Sequence, residues 1–245
     1  VNYNRDIEIF PVLRNLISTI NGGKCPYLSP TDMGVNMAGY AIVDDEACRE
    51  ASRQEVIRRY YKGLCDLRMG RERQSTVDKL KAIMQQLDLH PTDRPVVQAA
   101  LDKAERANAP AVAIQLPDGR LITGKSSKLL SACSGAVLNA IKMMAGIPKE
   151  ALLMSPAVLE PVIDLKVNLL HSHASALKLD DALAALYICA ATDEMAARAV
   201  AQLPKLKGCE IHSTQLLYSG DESTLRKMGL NLTCEPEFPD HSIMY

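Results

Sequence analysis

The sequence is poor in large aromatic residues, with no tryptophan and only two phenylalanines among 245 residues. Its core must therefore draw volume from aliphatic residues, methionine, alanine and eight tyrosines. A charge excess is lacking too, because 28 Lys and Arg face 29 Asp and Glu, a net charge of −1. This balance argues against nucleic acid or an anionic membrane as an electrostatic partner. The most apolar run, residues 182–191, is about half a bilayer span, so we expect no membrane helix.

The sequence also lacks closely spaced pairs of cysteines. The seven cysteines are odd in number, and no two have the Cys-x-x-Cys or similar spacing of a disulfide framework or a structural zinc site. His171 and His173 have no third ligand nearby in the sequence, so we predict no metal site. No basic stretch followed by an apolar run begins the chain, which disfavours a signal peptide. These absences predict a protein of the reducing cytoplasm, long enough to bury a core without disulfides.

Apolar residues in the first half recur with the period of an α-helix. Phe10, Leu13, Ile17 and Ile20 follow one another at three and four residues. We place Pro11 in the first turn of this helix, where proline is tolerated. Further helical stripes begin after the acidic residues 44–46 and continue along this half. We therefore predict a mainly helical segment over residues 1–92.

The hydrophobic period changes in the second half. Val112, Ile114 and Leu116 alternate as in a strand, and Asp118-Gly119 is typical of a hairpin turn. Helices are predicted after this hairpin, including one over 156–170 and one over 179–203 that is apolar nearly all round. Two more strands are predicted over 209–218 and 230–234, with a short helix between them. The class is therefore α+β, or mixed α/β, with helices layered on a small mixed sheet over residues 93–245.

The stretch Gly124, Lys125, Ser126, Ser127 lies between a predicted strand and a predicted helix. Backbone N–H groups, a lysine and two hydroxyls at such a place are what a phosphate or carboxylate needs. The spacing is not that of a Walker A loop. The alternative is an ordinary helix N-cap made by Ser126 or Ser127.

Glu210, His212 and Thr214 alternate along a predicted strand, so their side chains share one face. A carboxylate beside an imidazole is suited to acid/base work, because the negative charge raises the pKa of histidine. Glu210 and His212 are therefore our candidate catalytic pair, with Thr214 secondary. The alternative is a hydrogen-bonded polar pair at a sheet edge or subunit contact.

A polar, turn-rich loop runs from Ser29 to Asn36 and includes Asp32 and Gly34. Loops of this kind carry function when they line a cleft, and Asp32 and Asn36 are our secondary candidates for a cleft wall. The alternative is a capped turn that redirects the chain.

Several of these stretches resemble one bacterial family. The similar segments are residues 5–13, 29–37, 57–61, 116–119, 123–127 and 210–214. The run Ser-Pro-Thr-Asp-Met-Gly-Val-Asn-Met from Ser29 is the most specific of them. Taken in order along essentially the whole chain, they are similar to the domain of unknown function 1846 family, also called uncharacterised protein family 0371.

The resemblance implies a cytoplasmic protein without an established activity. It also implies that the chain is the C-terminal half of a protein about twice as long, whose upstream α/β domain carries a glycine-rich phosphate loop. The last part of the family resembles a three-layer deaminase topology. Deaminase chemistry needs a His-x-Glu and a Pro-Cys-x-x-Cys to hold zinc, and the sequence has neither. The resemblance therefore favours the topology without that activity.

We predict that the chain is the C-terminal region of a cytoplasmic protein that binds or acts on a phosphorylated or nucleotide-like small molecule. Lys125 and Ser126 would bind the anion, His212 would serve as acid or base, and Glu210 would orient it. The alternative is a non-catalytic oligomerisation or regulatory domain. We expect the missing N-terminal half and further copies of the chain as partners, and the sequence names no cofactor. The start at Val1 indicates a processed product, a chain cleaved from a tag, or a fragment.

Overall fold

A computed structural model of the chain describes residues 3–27, 45–172 and 176–239. The chain divides into two compact units, Val1–Arg94 and Pro95–Tyr245. Whether each unit is an independent domain stays a prediction.

The described part of the first unit is helical, as the apolar periodicity predicts. It contains α1 (Tyr3–Ile20), α2 (Asp45–Arg68), α3 (Gln74–Gln86) and a short 3₁₀ turn at Pro91–Asp93. Both α1 and α2 contact α3. The core between these helices consists of buried apolar side chains: Phe10, Val56, Ile57, Tyr61, Cys65, Val77, Leu80 and Met84.

The start of α1 differs from the sequence expectation. Because α1 begins at Tyr3, Pro11 lies in the helix interior and not in its first turn. A proline there has no N–H to donate to the carbonyl four residues earlier, so the helix lacks one backbone hydrogen bond. Pro11 is buried in the first unit.

The second unit combines a four-stranded sheet with helices. Its helices are α4 (Pro95–Ala107), α5 (Ala132–Ala145), α6 (Pro156–Asp164), α7 (Leu179–Ala190), α8 (Glu194–Val200) and α9 (Ser219–Lys227). The strands are β1 (Ala111–Gln115), β2 (Leu121–Lys125), β3 (Glu210–Ser213) and β4 (Asn231–Cys234). The chain also forms a π-helical turn at Leu165–Leu169 and a 3₁₀ turn at Leu203–Leu206.

The sheet has the order β2-β1-β3-β4. β1 pairs antiparallel with β2 and β3, whereas β3 and β4 are parallel, so the predicted mixed sheet is confirmed. Alternate residues of β1 face opposite sides: Ala113 packs against α4, and Ile114 joins the main core with α5. The sheet therefore lies between two helical layers, and the mixed α/β class is confirmed. The deaminase-like detail of the topology stays a prediction.

The predicted apolar helix over 179–203 is wrong as a single element. The chain breaks at Thr192, and Asp193 caps α8 by accepting a hydrogen bond from Ala196 N at 2.8 Å. Tyr187 and Ile188 of α7 are more than half exposed, so this helix is not buried on all sides. Alanine content alone thus overstated its burial.

The end of the α6 segment has an unusual distribution of polar and apolar residues. Lys166 is buried in the π-helical turn, whereas Leu165 and Leu169 on either side of it are exposed. Lys166 Nζ donates to Ala176 O at 2.6 Å and forms an ion pair with Asp181 Oδ2 at 2.8 Å. These bonds connect the π-helical turn to the start of α7.

The described helices were also searched for membrane spans. None of those within residues 3–27, 45–172 and 176–239 is long and apolar enough to cross a bilayer.

Candidate functional site

Three strands end at one edge of the sheet. β2 and β3 are both antiparallel to β1, and β4 is parallel to β3. β2, β3 and β4 therefore all run in the same direction. Lys125 pairs with Ala111 at this edge, and Thr214 N donates to Ala111 O. Glu235 N donates to Ser213 O in the same region. Lys125, Thr214 and Glu235 therefore lie at the same end of the sheet, at or just after the ends of β2, β3 and β4 in turn, and we term this end the carboxyl edge.

The loop at Gly124–Ser127 is held largely by its own hydrogen bonds. Ser126 N donates to Pro110 O at 2.8 Å, and Ser127 N donates to Leu130 O at 3.0 Å. The hydroxyl of Ser127 accepts from Leu130 N at 3.0 Å. The backbone N–H groups of both serines thus donate to carbonyls of the protein and do not point to a ligand. The groups that suit an anion are the exposed Lys125 side chain and the half-buried Ser126 side chain.

Gly124 has a packing role in this loop. It is buried, and a Cβ at this position would lie 2.1 Å from Ala136 N of α5. β2 and α5 approach closely because residue 124 has no side chain. The sequence expectation that Ser126 or Ser127 caps the following helix is wrong, because Ser131 caps α5 by accepting from Ser134 N at 3.2 Å.

His212 is fully buried on the α4 face of β3. Its Nδ1 lies 2.8 Å from Thr233 Oγ1, and its Nε2 lies 3.2 Å from Glu235 Oε1. The Glu235 side chain is 23% exposed. A hydroxyl, an imidazole and a carboxylate are thus lined up from the interior to the carboxyl edge. Such an arrangement can hold a proton and exchange it through the carboxylate.

Sequence reasoning missed Thr233 and Glu235. They alternate in the last strand as Glu210 and His212 do in β3, and this alternation was their only signal. The predicted strand ended at Cys234, one residue before Glu235. Its parallel pairing with β3 joins residues about twenty positions apart, which no local pattern encodes.

Glu210 lies on the same sheet face as His212 but at the opposite end of β3. Its Oε1 accepts a hydrogen bond from Asn231 Nδ2 at 2.8 Å, and it pairs with Gln115. Four strand residues separate it from Thr214, which corresponds to about 14 Å. The structure therefore brings His212 together with Glu235 and separates Glu210 from Lys125.

The remaining candidates differ in position. Thr214 Oγ1 accepts a hydrogen bond from Ala111 N at 3.0 Å, so its hydroxyl stabilises the carboxyl edge. Asp32 and Asn36 lie outside the described residues. Within residues 3–27, 45–172 and 176–239, no three His, Cys, Asp or Glu side chains are grouped as metal ligands.

A second polar cluster lies where α5, α7 and α9 begin. Asp221 of α9 is buried and accepts a hydrogen bond from Leu179 N at 2.8 Å, which caps α7. Burial raises the pKa of Asp221, against the opposing effect of hydrogen bonds from Leu179 N and Ser131. Burial and the nearby Asp221 raise the pKa of the Cys133 thiol well above its usual value. Cys133 therefore stays a neutral thiol and is no activated nucleophile.

The raised pKa of Asp221 predicts a pH effect on stability. Above about pH 3.8, the usual value for this carboxyl, the unfolded chain releases a proton that the native state still holds. The contribution of Asp221 to the free energy of unfolding therefore falls as the pH rises from the pKa of the unfolded chain to the higher pKa of the folded state. Asp221→Asn removes this dependence, so we expect the free energy of unfolding of the wild type, measured by urea denaturation, to decline relative to that of the variant as the pH rises above about 4.

Asp118→Asn is the matched control with the opposite sign. Hydrogen bonds from the Arg120 side chain and backbone hold the pKa of Asp118 below its usual value, so its contribution is present at neutral pH and is lost as the pH falls. Parallel pH curves for the wild type and Asp221→Asn would contradict the assigned pKa direction.

Comparison with known proteins covers the whole chain. Residues 1–88 match the model described as domain of unknown function DUF1846, N-terminal, and residues 92–245 match DUF1846, C-terminal. The chain is 47% identical over 253 residues to a UPF0371 protein of Clostridium botulinum strain ATCC 19397 / Type A, and 45% identical to that of strain Alaska E43 / Type E3. Each alignment covers 100% of this chain and 50% of the relative. The chain therefore spans about half the length of these curated relatives.

Proposed function

The chain belongs to the DUF1846 family, and from this premise we propose that its second unit binds a phosphorylated or nucleotide-like small molecule at the carboxyl edge of the sheet. The family description assigns no activity, so the proposal rests on the geometry of the described residues. The observation that carries it is the position of Lys125, Thr214 and Glu235 at one edge, with His212 behind Glu235.

The position of these groups supports ligand binding on general grounds. Ligands of open α/β sheets bind outside the carboxyl ends of the strands, and β2, β3 and β4 all end there. The exposed ammonium of Lys125 supplies the positive charge that a phosphate needs. The Ser126 hydroxyl supplies a hydrogen-bond donor beside it.

Each candidate residue has a distinct role in this proposal. Lys125 and Ser126 bind the anion, whereas Gly124 and Ser127 maintain the loop that presents them. His212 acts as acid or base by exchanging a proton with Glu235, whose carboxylate faces the carboxyl edge. Glu235 thus replaces Glu210 as the carboxylate partner that the sequence alone suggests for His212. Glu210 supports the far end of β3 through its hydrogen bond with Asn231.

Lys125→Ala tests the proposal directly. A charge-assisted hydrogen bond contributes roughly 1.5–3 kcal/mol, so we expect the variant to bind ATP or a sugar phosphate at least about tenfold more weakly than the wild type. Isothermal titration calorimetry measures this change. Lys149→Ala removes another exposed lysine, in the loop after α5, and should leave the affinity unchanged.

Two outcomes would count against ligand binding. Absence of heat with ATP, inorganic phosphate and sugar phosphates, in both this chain and a full-length relative, would eliminate it. Equal losses in Lys125→Ala and Lys149→Ala would indicate non-specific charge attraction in place of a site.

A non-catalytic assembly domain is the second candidate. The observation that favours it is the exposure of Leu165, Leu169 and Leu170 beside the buried Lys166, because exposed apolar groups mark contact surfaces. Under this candidate Lys125→Ala changes no ligand signal, since none exists.

A further inference from the structure

Helix α1 has apolar residues on two faces. Its inner face contains the buried Phe10 and Pro11, and the helix contacts α3. Four aliphatic side chains lie on the outer face with exposures between 45% and 75%, and we term them the outer stripe: Ile9, Val12, Leu16 and Ile20. Spacings of three and four residues place all four on one side of the helix. The stripe is about 16 Å long at 1.5 Å per residue.

A surface of this kind is normally covered. A helix that is exposed to water on one side carries polar residues there, and an apolar stripe is buried against another layer of its own domain. The neighbouring exposed positions Arg14, Asn15 and Thr19 are polar, so the apolar residues are confined to the stripe and do not cover the helix at random.

We propose that the outer stripe of α1 is the surface on which the remainder of the family's N-terminal domain packs. α1 lies within residues 1–88, which match the N-terminal family model. The relatives are about twice as long as this chain, so about half of their length is available as the covering element. The proposal is independent of ligand binding at the carboxyl edge.

A second copy of the chain is the less suitable occupant. Stable interfaces between separate proteins draw on roughly 20–30 residues from each side. Four side chains of one helix are too few for that, whereas they are sufficient for one helix to pack within a domain, where the covalent connection reduces the entropic penalty.

The test compares one substitution in two lengths of protein. Leu16→Lys is made in the 245-residue chain, a lysine is placed at the aligned position of the full-length Clostridium botulinum relative, and thermal unfolding is followed by calorimetry. Leu16 is exposed in the chain alone, so we expect its Tm to change by no more than about 1 °C. In the full-length relative we expect a loss of about 5 °C or more, because the lysine then buries a charge in the contact that the outer stripe makes. Asn15→Lys, on the polar side of the same helix, is the matched control and should have little effect in both.

Side-chain footprinting with hydroxyl radicals keeps the test valid if the full-length variant fails to fold. The wild-type peptide containing residues 9–20 should be labelled at least about threefold more in the 245-residue chain than in the full-length relative. Equal labelling together with equal Tm changes would overturn the proposal. It would also be overturned if the 245-residue chain sediments as a dimer that Leu16→Lys converts to a monomer, because the occupant would then be a second copy.

Discussion

Gly124→Ala is expected to destabilise the protein by about 3 kcal/mol or more, beyond the usual penalty of overpacking. The new Cβ would lie 2.1 Å from Ala136 N and 2.5 Å from the carbonyl carbon of Gly135. Both atoms belong to the backbone of α5, so a rotation of a side chain cannot relieve the contact. β2 or α5 would have to move, and the main core beneath them resists this.

Gly220→Ala provides the control. A Cβ at residue 220 meets no atom within 4 Å, and the residue lies in the first turn of α9. Alanine favours helix over glycine by up to about 1 kcal/mol, so this variant should be as stable as the wild type or slightly more stable. Urea denaturation followed by circular dichroism measures both variants. A loss below about 1 kcal/mol in Gly124→Ala would show that β2 and α5 tolerate a larger separation.

Lys166→Met is expected to destabilise the protein by about 2 to 3 kcal/mol. Removing one partner of a buried ion pair typically loses roughly 3–5 kcal/mol. The expected value is lower here because Asp181 keeps 34% of its side chain exposed, whereas Lys166 keeps 11%. The variant also leaves Ala176 O without the hydrogen bond that Lys166 donates. Thermal and urea denaturation should both report the change.

Two further variants separate the ion pair from simple packing. Lys149→Met, at an exposed position, should change stability by less than about 0.5 kcal/mol. Adding Asp181→Asn to Lys166→Met should recover part of the loss, because the unpaired carboxylate is then neutralised. The variant Asp181→Asn alone completes the cycle. If the stability losses of Lys166→Met and Asp181→Asn simply add in the double variant, the two residues do not interact energetically.

Local patterns predicted several elements of the second unit well. The alternation of Val112 and Ile114 and the turn at Asp118-Gly119 are confirmed as β1, β2 and their antiparallel connection. Hairpins are local, because turn residues and side-chain alternation act over a few positions. The helical periods of the first half are likewise confirmed where the structure describes them.

The same approach failed where neighbours in space decide the outcome. Pro11 is accommodated in a helix interior because α1 continues to Tyr3, although proline alone indicates a helix start. The cap of α5 is Ser131, while Ser127 forms a turn with Leu130. Each serine has the chemistry of a cap, and Ser131 serves because α5 begins at Ala132, directly after it.

The sequence by itself determined the mixed α/β class, the hairpin and the family, since these depend on periodicity, turn chemistry and residue identity. Only the tertiary structure decided that Glu235, and not Glu210, lies at hydrogen-bonding distance from His212. It also decided that Lys166 is buried while its neighbouring leucines are exposed. The physical reason is the same in both cases: pairing of distant strands and helices places charged groups by long-range packing, and a carboxylate or ammonium enters the interior only where that packing supplies its partner.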